Sequence, residues 1–123
     1  MTESVSAATL SPQVKQLLEG ADFDALAAVL DPGVTWAAAE FPGDGCHNRR
    51  EVLAWWRAAY EAGVRAEVTS SEVHGNALLL SLKVSGRPDG GGDRFQVLTV
   101  GPRGITSIAG FDNRAEALDH LAR

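Results

Sequence analysis

Apolar positions recur at two different periods, and the change of period divides the chain in half. Between residues 11 and 60 the spacing is helical. Ser11-Pro12 reads as a helix start, because Ser can cap free N–H groups and Pro suits the first turn. Val14, Leu17 and Leu18 follow on one face, and Gly20 ends the segment. Asp22 caps a second helix with a stripe of Phe23, Leu26, Ala27 and Leu30, and Asp31-Pro32-Gly33 breaks it. Val34-Thr35-Trp36 reads as a short strand, and residues 40–47, with Pro42, Gly43 and Gly45, as a loop. Asn48 and Glu51 form a capping box for a third helix carrying Val52, Leu53, Trp55, Trp56, Ala59 and Tyr60. Adjacent tryptophans diverge by about 100° on a helix, so this pair covers a broad apolar face.

Beyond Gly63 the period falls to two. Val64, Ala66 and Val68 alternate with Arg65, Glu67 and Thr69, and Gly75-Asn76 makes a hairpin turn. Leu78, Leu80, Leu82 and Val84 lie on one face of the next strand, with Leu79, Ser81, Lys83 and Ser85 on the other. A glycine-rich turn over 87–92 leads to a strand in which Phe95, Val97 and Thr99 oppose Gln96, Leu98 and Val100. Pro102-Arg103-Gly104 turns into a last strand over 105–111. A second capping box, Asn113 with Glu116, then opens a short helix holding Ala117, Leu118 and Leu121. Helices segregated from a strand meander indicate an α+β fold. The twist of such a meander curls an antiparallel sheet around the N-terminal helices and leaves a pocket between the layers. Residues 1–10 are expected to form a loose tail and 11–123 a single domain.

Composition narrows the function classes. The 123 residues are 45% hydrophobic and 22% charged, which is ordinary for a globular domain with its own core. Eleven basic against sixteen acidic residues leave a net charge of −5, and nothing beyond Arg49-Arg50 clusters positive charge, so no nucleic-acid partner is expected. No apolar run is long enough for a membrane span, and the start of the chain does not read as a signal peptide; a cytoplasmic protein is expected. One cysteine excludes a disulfide scaffold, and three histidines with one cysteine show no metal-ligand spacing. No metal and no cofactor are expected.

The order of elements, with particular residues on it, resembles the nuclear transport factor 2-like superfamily and its small SnoaL-like domains. The resemblance is carried by Asp22-Phe23-Asp24-Ala25-Leu26 running into Leu30-Asp31-Pro32-Gly33-Val34-Thr35-Trp36. Cys46-His47-Asn48-Arg49-Arg50-Glu51-Val52-Leu53 and the stretch from Ile108 through Gly110-Phe111-Asp112-Asn113 to Leu118 carry the rest. It spans about residues 11–121. The resemblance implies a cone-shaped, cystatin-like roll with a deep pocket, often a homodimer through the sheet. The family includes ketosteroid isomerases, polyketide cyclases, dehydratases, epoxide hydrolases and noncatalytic binding domains, so no single reaction follows. The isomerase pattern of a catalytic Asp after the first strand meets Ala37-Ala38-Ala39 here, with Glu40 the nearest carboxylate; its Tyr on the first helix has no counterpart between Pro12 and Glu19. SnoaL-like cyclases use an acid from the last strand as base, a region that Asp112 matches.

The candidate catalytic residues are therefore Asp112, as a base, and His47, as acid, base or hydrogen-bond donor. Asp112 can equally be a turn residue, and His47 a solvated loop side chain. Cys46 reads as a small, part-buried thiol, and His74 and His120 as exposed. Candidate ligand-binding residues are Trp36, Trp56 and Tyr60, with Phe41 and Phe111 closing the mouth; core packing is the competing role for each. The glycines of 90–92 lack the Lys-Ser/Thr ending of a phosphate loop. The expected partner is an apolar small molecule. Leu79 and Leu98, opposing the Leu78–Leu80–Leu82 face, suggest an outer apolar surface and hence a homodimer. Cofactor-free proton transfer on a carbonyl compound, with His47 or Tyr60 polarising the oxygen, stands beside noncatalytic binding and protein interaction.

Overall fold

The fold is described over residues 6–20, 22–37, 45–87 and 91–122 of a computed structural model. Helix α1 (Ala7–Gly20) starts earlier than Ser11-Pro12 predicts. Ser6 Oγ accepts the Thr9 N–H, and the Ser6 N–H donates to Thr9 Oγ1, at 3.2 Å each. This reciprocal pair serves as a cap. The helix is already formed when it meets Pro12, whose missing N–H leaves one carbonyl without its helical donor. Residues 7–10, expected in the tail, are helical, and Ala7, Leu10 and Val14 are its buried face.

Asp22 caps α2 (Phe23–Val29), its Oδ1 accepting the Ala25 N–H at 3.1 Å. Leu30 is not helical; it opens β1 (Leu30–Ala37). Asp31-Pro32-Gly33 breaks the helix as predicted but lies inside this strand, where the pairing register shifts between Leu30 and Thr35. Asp31 Oδ1 accepts the Gly33 N–H at 2.8 Å. β1 is an edge strand, so the absent Pro32 N–H removes no bond from a sheet interior.

Both predicted Asn caps form. Asn48 Oδ1 accepts the Glu51 N–H at 2.9 Å, and Glu51 Oε1 accepts the His47 N–H at 2.8 Å, opening α3 (Arg49–Glu61). The strands β2 (Arg65–His74), β3 (Ala77–Ser85), β4 (Gly92–Gly101) and β5 (Gly104–Phe111) follow. Asn113 then caps α4 (Arg114–Leu121), accepting the Glu116 N–H at 2.8 Å.

The sheet order is β1-β5-β4-β3-β2. Strands β2 to β5 form the expected antiparallel meander, whereas β1 joins β5 in parallel and makes the sheet mixed. No tight turn links β1 to β5; the intervening chain can return in either direction. The sheet is curled and not closed.

Two cores lie on its two faces. On the inner face Leu78, Leu80, Leu82, Leu98, Val100 and Ile108 pack with α1, β1 and α3. On the outer face Ala77, Leu79 and Val97 pack with Ala117 of α4. This corrects the reasoning behind the homodimer. Leu98 pairs with Leu78 in register and shares its face, and Leu79 is fully buried within the single chain. Neither leaves an apolar surface for a second copy to cover.

Helix α1 also guards the β2 edge. Lys15 Nζ donates to the Val68 carbonyl at 3.2 Å, and Glu19 Oε2 accepts the Val68 N–H at 2.8 Å, beside a register shift between Val68 and Ser70. Lys15, and then that N–H, hold the Glu19 carboxyl below its usual range. Among the described residues, no helix is long and apolar enough to cross a membrane.

A two-point ion pair joins α4 to β2. Arg114 Nη1 and Nη2 donate to Glu72 Oε2 and Oε1 at 2.5 and 2.8 Å. The guanidinium, helped by His74, lowers the Glu72 carboxyl to about 2. The unfolded carboxyl titrates near 4.5, so between these values the unfolded chain binds more protons. The stabilisation is complete above that window and is lost as pH falls through about 2. Glu72→Gln should therefore lower Tm at pH 7, and its gap from the native chain should close as the pH drops through the window. A gap that stays constant under thermal melts in acid would remove this pair from the account of acid stability.

Candidate functional site

The inner face carries large side chains at one end and small or polar ones at the other. At the second end the cross-strand neighbours are Ala66 with Val84, Leu82 with Arg94, and Gln96 with Gly110. Side-chain volume runs short there, and a cavity of about 250 Å³ remains against α3. Trp55, Trp56 and Ala59 of α3 line one side of it, and Trp36 of β1 lines another. Val64, Arg87, Phe95 and Phe111 extend the lining.

Trp36 is held by backbone. Its N–H donates to the Cys46 carbonyl and its carbonyl accepts the Cys46 N–H, both at 2.9 Å. Gly45 makes this approach possible. It has φ 80°, and a Cβ there would stand 2.1 Å from the Trp36 carbonyl oxygen. The Trp36 ring meets the Trp56 ring edge-on, with centroids 5.4 Å apart at 60°. Trp36 is 8% exposed and Trp55 is 39% exposed, which puts Trp55 at the mouth.

The polar part of the cavity comes from β4. Alternation places Arg94 and Gln96 on the same face as Leu98. Arg94 Nη1 pairs with Asp112 Oδ1; the Arg94 side chain is 22% exposed and that of Asp112 is 63% exposed. The guanidinium thus runs from the lining towards solvent, with the carboxylate on its outer side. Among the described residues, Arg87 and Arg94 are the ionisable side chains of the lining. Neither can act as a base near neutral pH, but Arg94 and Gln96 can both donate to an oxygen acceptor.

The structure gathers three of the predicted binding residues, Trp36, Trp56 and Phe111, around one cavity. Tyr60 lies instead on a separate cavity of about 50 Å³ with Phe23 and Arg65. There the Arg65 guanidinium carbon sits 3.7 Å from the Tyr60 ring centroid. Asp112 stands outside the main lining, next to Phe111 and on Arg94. His47 is 58% exposed in its side chain, 3.5 Å from Glu51, and does not line the cavity. Phe41 and Glu40 lie outside the described residues. Cys46 is buried, and burial, with a contribution from Glu51, pushes its thiol up, away from a reactive thiolate. Among the described residues no three His, Cys, Asp or Glu side chains cluster as metal ligands would.

Sequence reasoning missed Arg94, Gln96 and Arg87. The signal for Gln96 was its alternation with Leu98 and Val100, which puts it on an apolar face.

The family model described as the SnoaL-like domain matches residues 14–106. The chain belongs to this family. Among solved structures, this SnoaL-like chain is similar to a Sinorhizobium meliloti protein provisionally named a polyketide cyclase. The two are 26% identical, with 87% of this chain and 100% of the other covered and a TM-score of 0.70. A Kribbella flavida protein provisionally named a ketosteroid isomerase is 18% identical, with 90% and 80% covered and a TM-score of 0.73. A nuclear transport factor 2-like protein of unknown function from Mesorhizobium loti is 17% identical, with 85% and 88% covered and a TM-score of 0.71. The last two likenesses establish the fold alone. No curated protein sequence matches the chain.

The Gly45 seat generates a prediction for this SnoaL-like domain. Gly45→Ala forces a side chain into the Trp36 carbonyl at a backbone conformation that costs on the order of 1 kcal/mol by itself. It should lower Tm by several degrees and shift the tryptophan emission as Trp36 moves. An unchanged melt and spectrum would mean that the Trp36–Cys46 bridge is not what holds the cavity wall.

Proposed function

We propose that this SnoaL-like domain binds a small, flat, largely apolar molecule that carries an oxygen acceptor. One observation carries the reading: Trp36, Trp55 and Trp56 bound a cavity whose polar members include Arg87, Arg94 and Gln96, all able to donate hydrogen bonds. Aromatic walls bury a planar ligand, and a few convergent donors fix its orientation. The volume of about 250 Å³ sits below the roughly 300–1,000 Å³ of sites for drug-sized ligands. A ligand of modest size fits that dimension better than a large polycycle.

Asp112 supports a second reading, cofactor-free proton transfer. Its carboxylate would take a proton from carbon beside a carbonyl and return it at another carbon. Arg94 and Gln96 would hold the oxygen as negative charge developed, in place of the His47 or Tyr60 suggested by sequence. The cyclase and isomerase names given to its structural relatives favour this class of chemistry.

Tryptophan fluorescence tests both readings, because the walls are their own reporters. Titration with apolar aryl ketones such as 2-acetylnaphthalene should quench emission saturably in the native chain. Ala59→Trp, which fills the cavity from α3, should abolish the response while the protein still melts cooperatively. Ketone turnover that disappears in Asp112→Asn would establish the enzyme; saturable binding without turnover would establish the binding module. Absence of any saturable response to flat aryl compounds, ketones and the matching carboxylates alike, would sink both.

A further inference from the structure

We infer that the cavity selects ligands with an anionic oxygen, a carboxylate above all, with Arg94 as the anchor and Asp112 as the resident counter-ion that the ligand displaces. This rests on the pocket reading and names the class of molecule it takes.

The charge distribution points this way. The chain as a whole is acidic at −5, yet among the described residues the ionisable members of the cavity lining are two arginines. From the rim, the Asp112 carboxylate pairs with Arg94. The Arg94 guanidinium thus sets a positive charge in the lining, and the apolar walls strengthen its field inside the cavity. A carboxylate entering an apolar site needs a partner there, since burying an unpaired charge is prohibitive. Arg94 meets that need, and its planar fork matches a carboxylate better than a ketone oxygen.

Asp112 is suited to leave. Its carboxylate is bound through Oδ1 to Nη1 and is 63% exposed, so it returns to water with little loss. The guanidinium, 22% exposed, stays with the lining. A neutral ketone accepts from Arg94 but competes only weakly with a carboxylate. A ligand carboxylate competes on equal terms, and the exchange trades an exposed ion pair for a more enclosed one.

Two matched pairs of probes test the inference: 2-naphthoate against 2-acetylnaphthalene, and benzoate against acetophenone. Each pair keeps the ring and changes the charge. In the native chain the carboxylate should bind at least about tenfold tighter than its ketone, or about 1.4 kcal/mol. Arg94→Met should bring that ratio close to one, and Asp112→Asn should raise it by removing the competitor. Both substitutions sit at the partly exposed rim; a cooperative melt near the native Tm shows that each variant is folded. Equal affinities in the native chain would overturn the inference and leave the pocket reading standing. A carboxylate preference that survives Arg94→Met would place the anion elsewhere and overturn it too. A ratio that falls in Asp112→Asn would remove the displaced counter-ion. Failure of all four compounds to bind would overturn the pocket reading together with the inference.

Discussion

Strand β3 is buried on both faces, and the other elements are arranged to make that possible. Residues 77–80 are all buried: Leu78 and Leu80 point towards the helices, Ala77 and Leu79 towards α4. A strand enclosed in this way needs neighbours on both edges and a layer on each side. The meander supplies β2 and β4, helices α1 and α3 cover one face, and α4 covers the other. Burying a leucine side chain contributes roughly 1.5–3 kcal/mol, so this short run is a large share of a marginal total. The Arg114–Glu72 pair then matters less as a salt bridge than as a tie that keeps α4 over Leu79.

Local chemistry was legible in the sequence because it acts over a few residues. Asn48, Asn113 and Asp22 cap helices whose neighbours alone determine the bond, and Gly75-Asn76 turns a hairpin with strands on both sides. The start of α1 was misread because Ser11-Pro12 has the chemistry of a helix start. The cap that operates is the less conspicuous Ser6 with Thr9. What was not legible depends on register. Whether Leu98 lies with Leu78 or against it is decided by strand pairing, since a shift of one residue reverses every face. The same ambiguity hid the parallel partner of β1 and the role of α4, and with them the ground for a second copy on the sheet.

The site divides in the same way. Trp36, Trp56 and Phe111 were visible as aromatics able to wall a pocket, and Trp36 with Trp56 proves to be a direct ring contact. Tyr60 and His47 were equally plausible by residue type. Tyr60 lies on another cavity, with Phe23, and His47 faces solvent beside Glu51. Arg94 and Gln96 alternate onto the face of Leu98 and Val100, but Phe95 and Val97 make the opposite face of the strand apolar as well. Only the register with Leu82, Leu80 and Gly110 turns the side of Arg94 and Gln96 inward.

That inward turn is hard to explain by stability. A dry internal void carries a penalty of roughly 24 cal/mol per Å³, so a closed one of this size would be ruinous for a small domain. Larger apolar side chains at Ala66, Gln96 and Gly110 would fill the space and extend the inner core towards Val84. The chain instead leaves the space open at Trp55 and Asp112, bounds it with tryptophans, and places a guanidinium and an amide on its lining. Each choice weakens the core, and each is one that the proposed recognition of a flat molecule with a polar end requires. Stability built on β3 at one end of the sheet allows the other end to remain unfilled, and the proposed ligand site depends on that division.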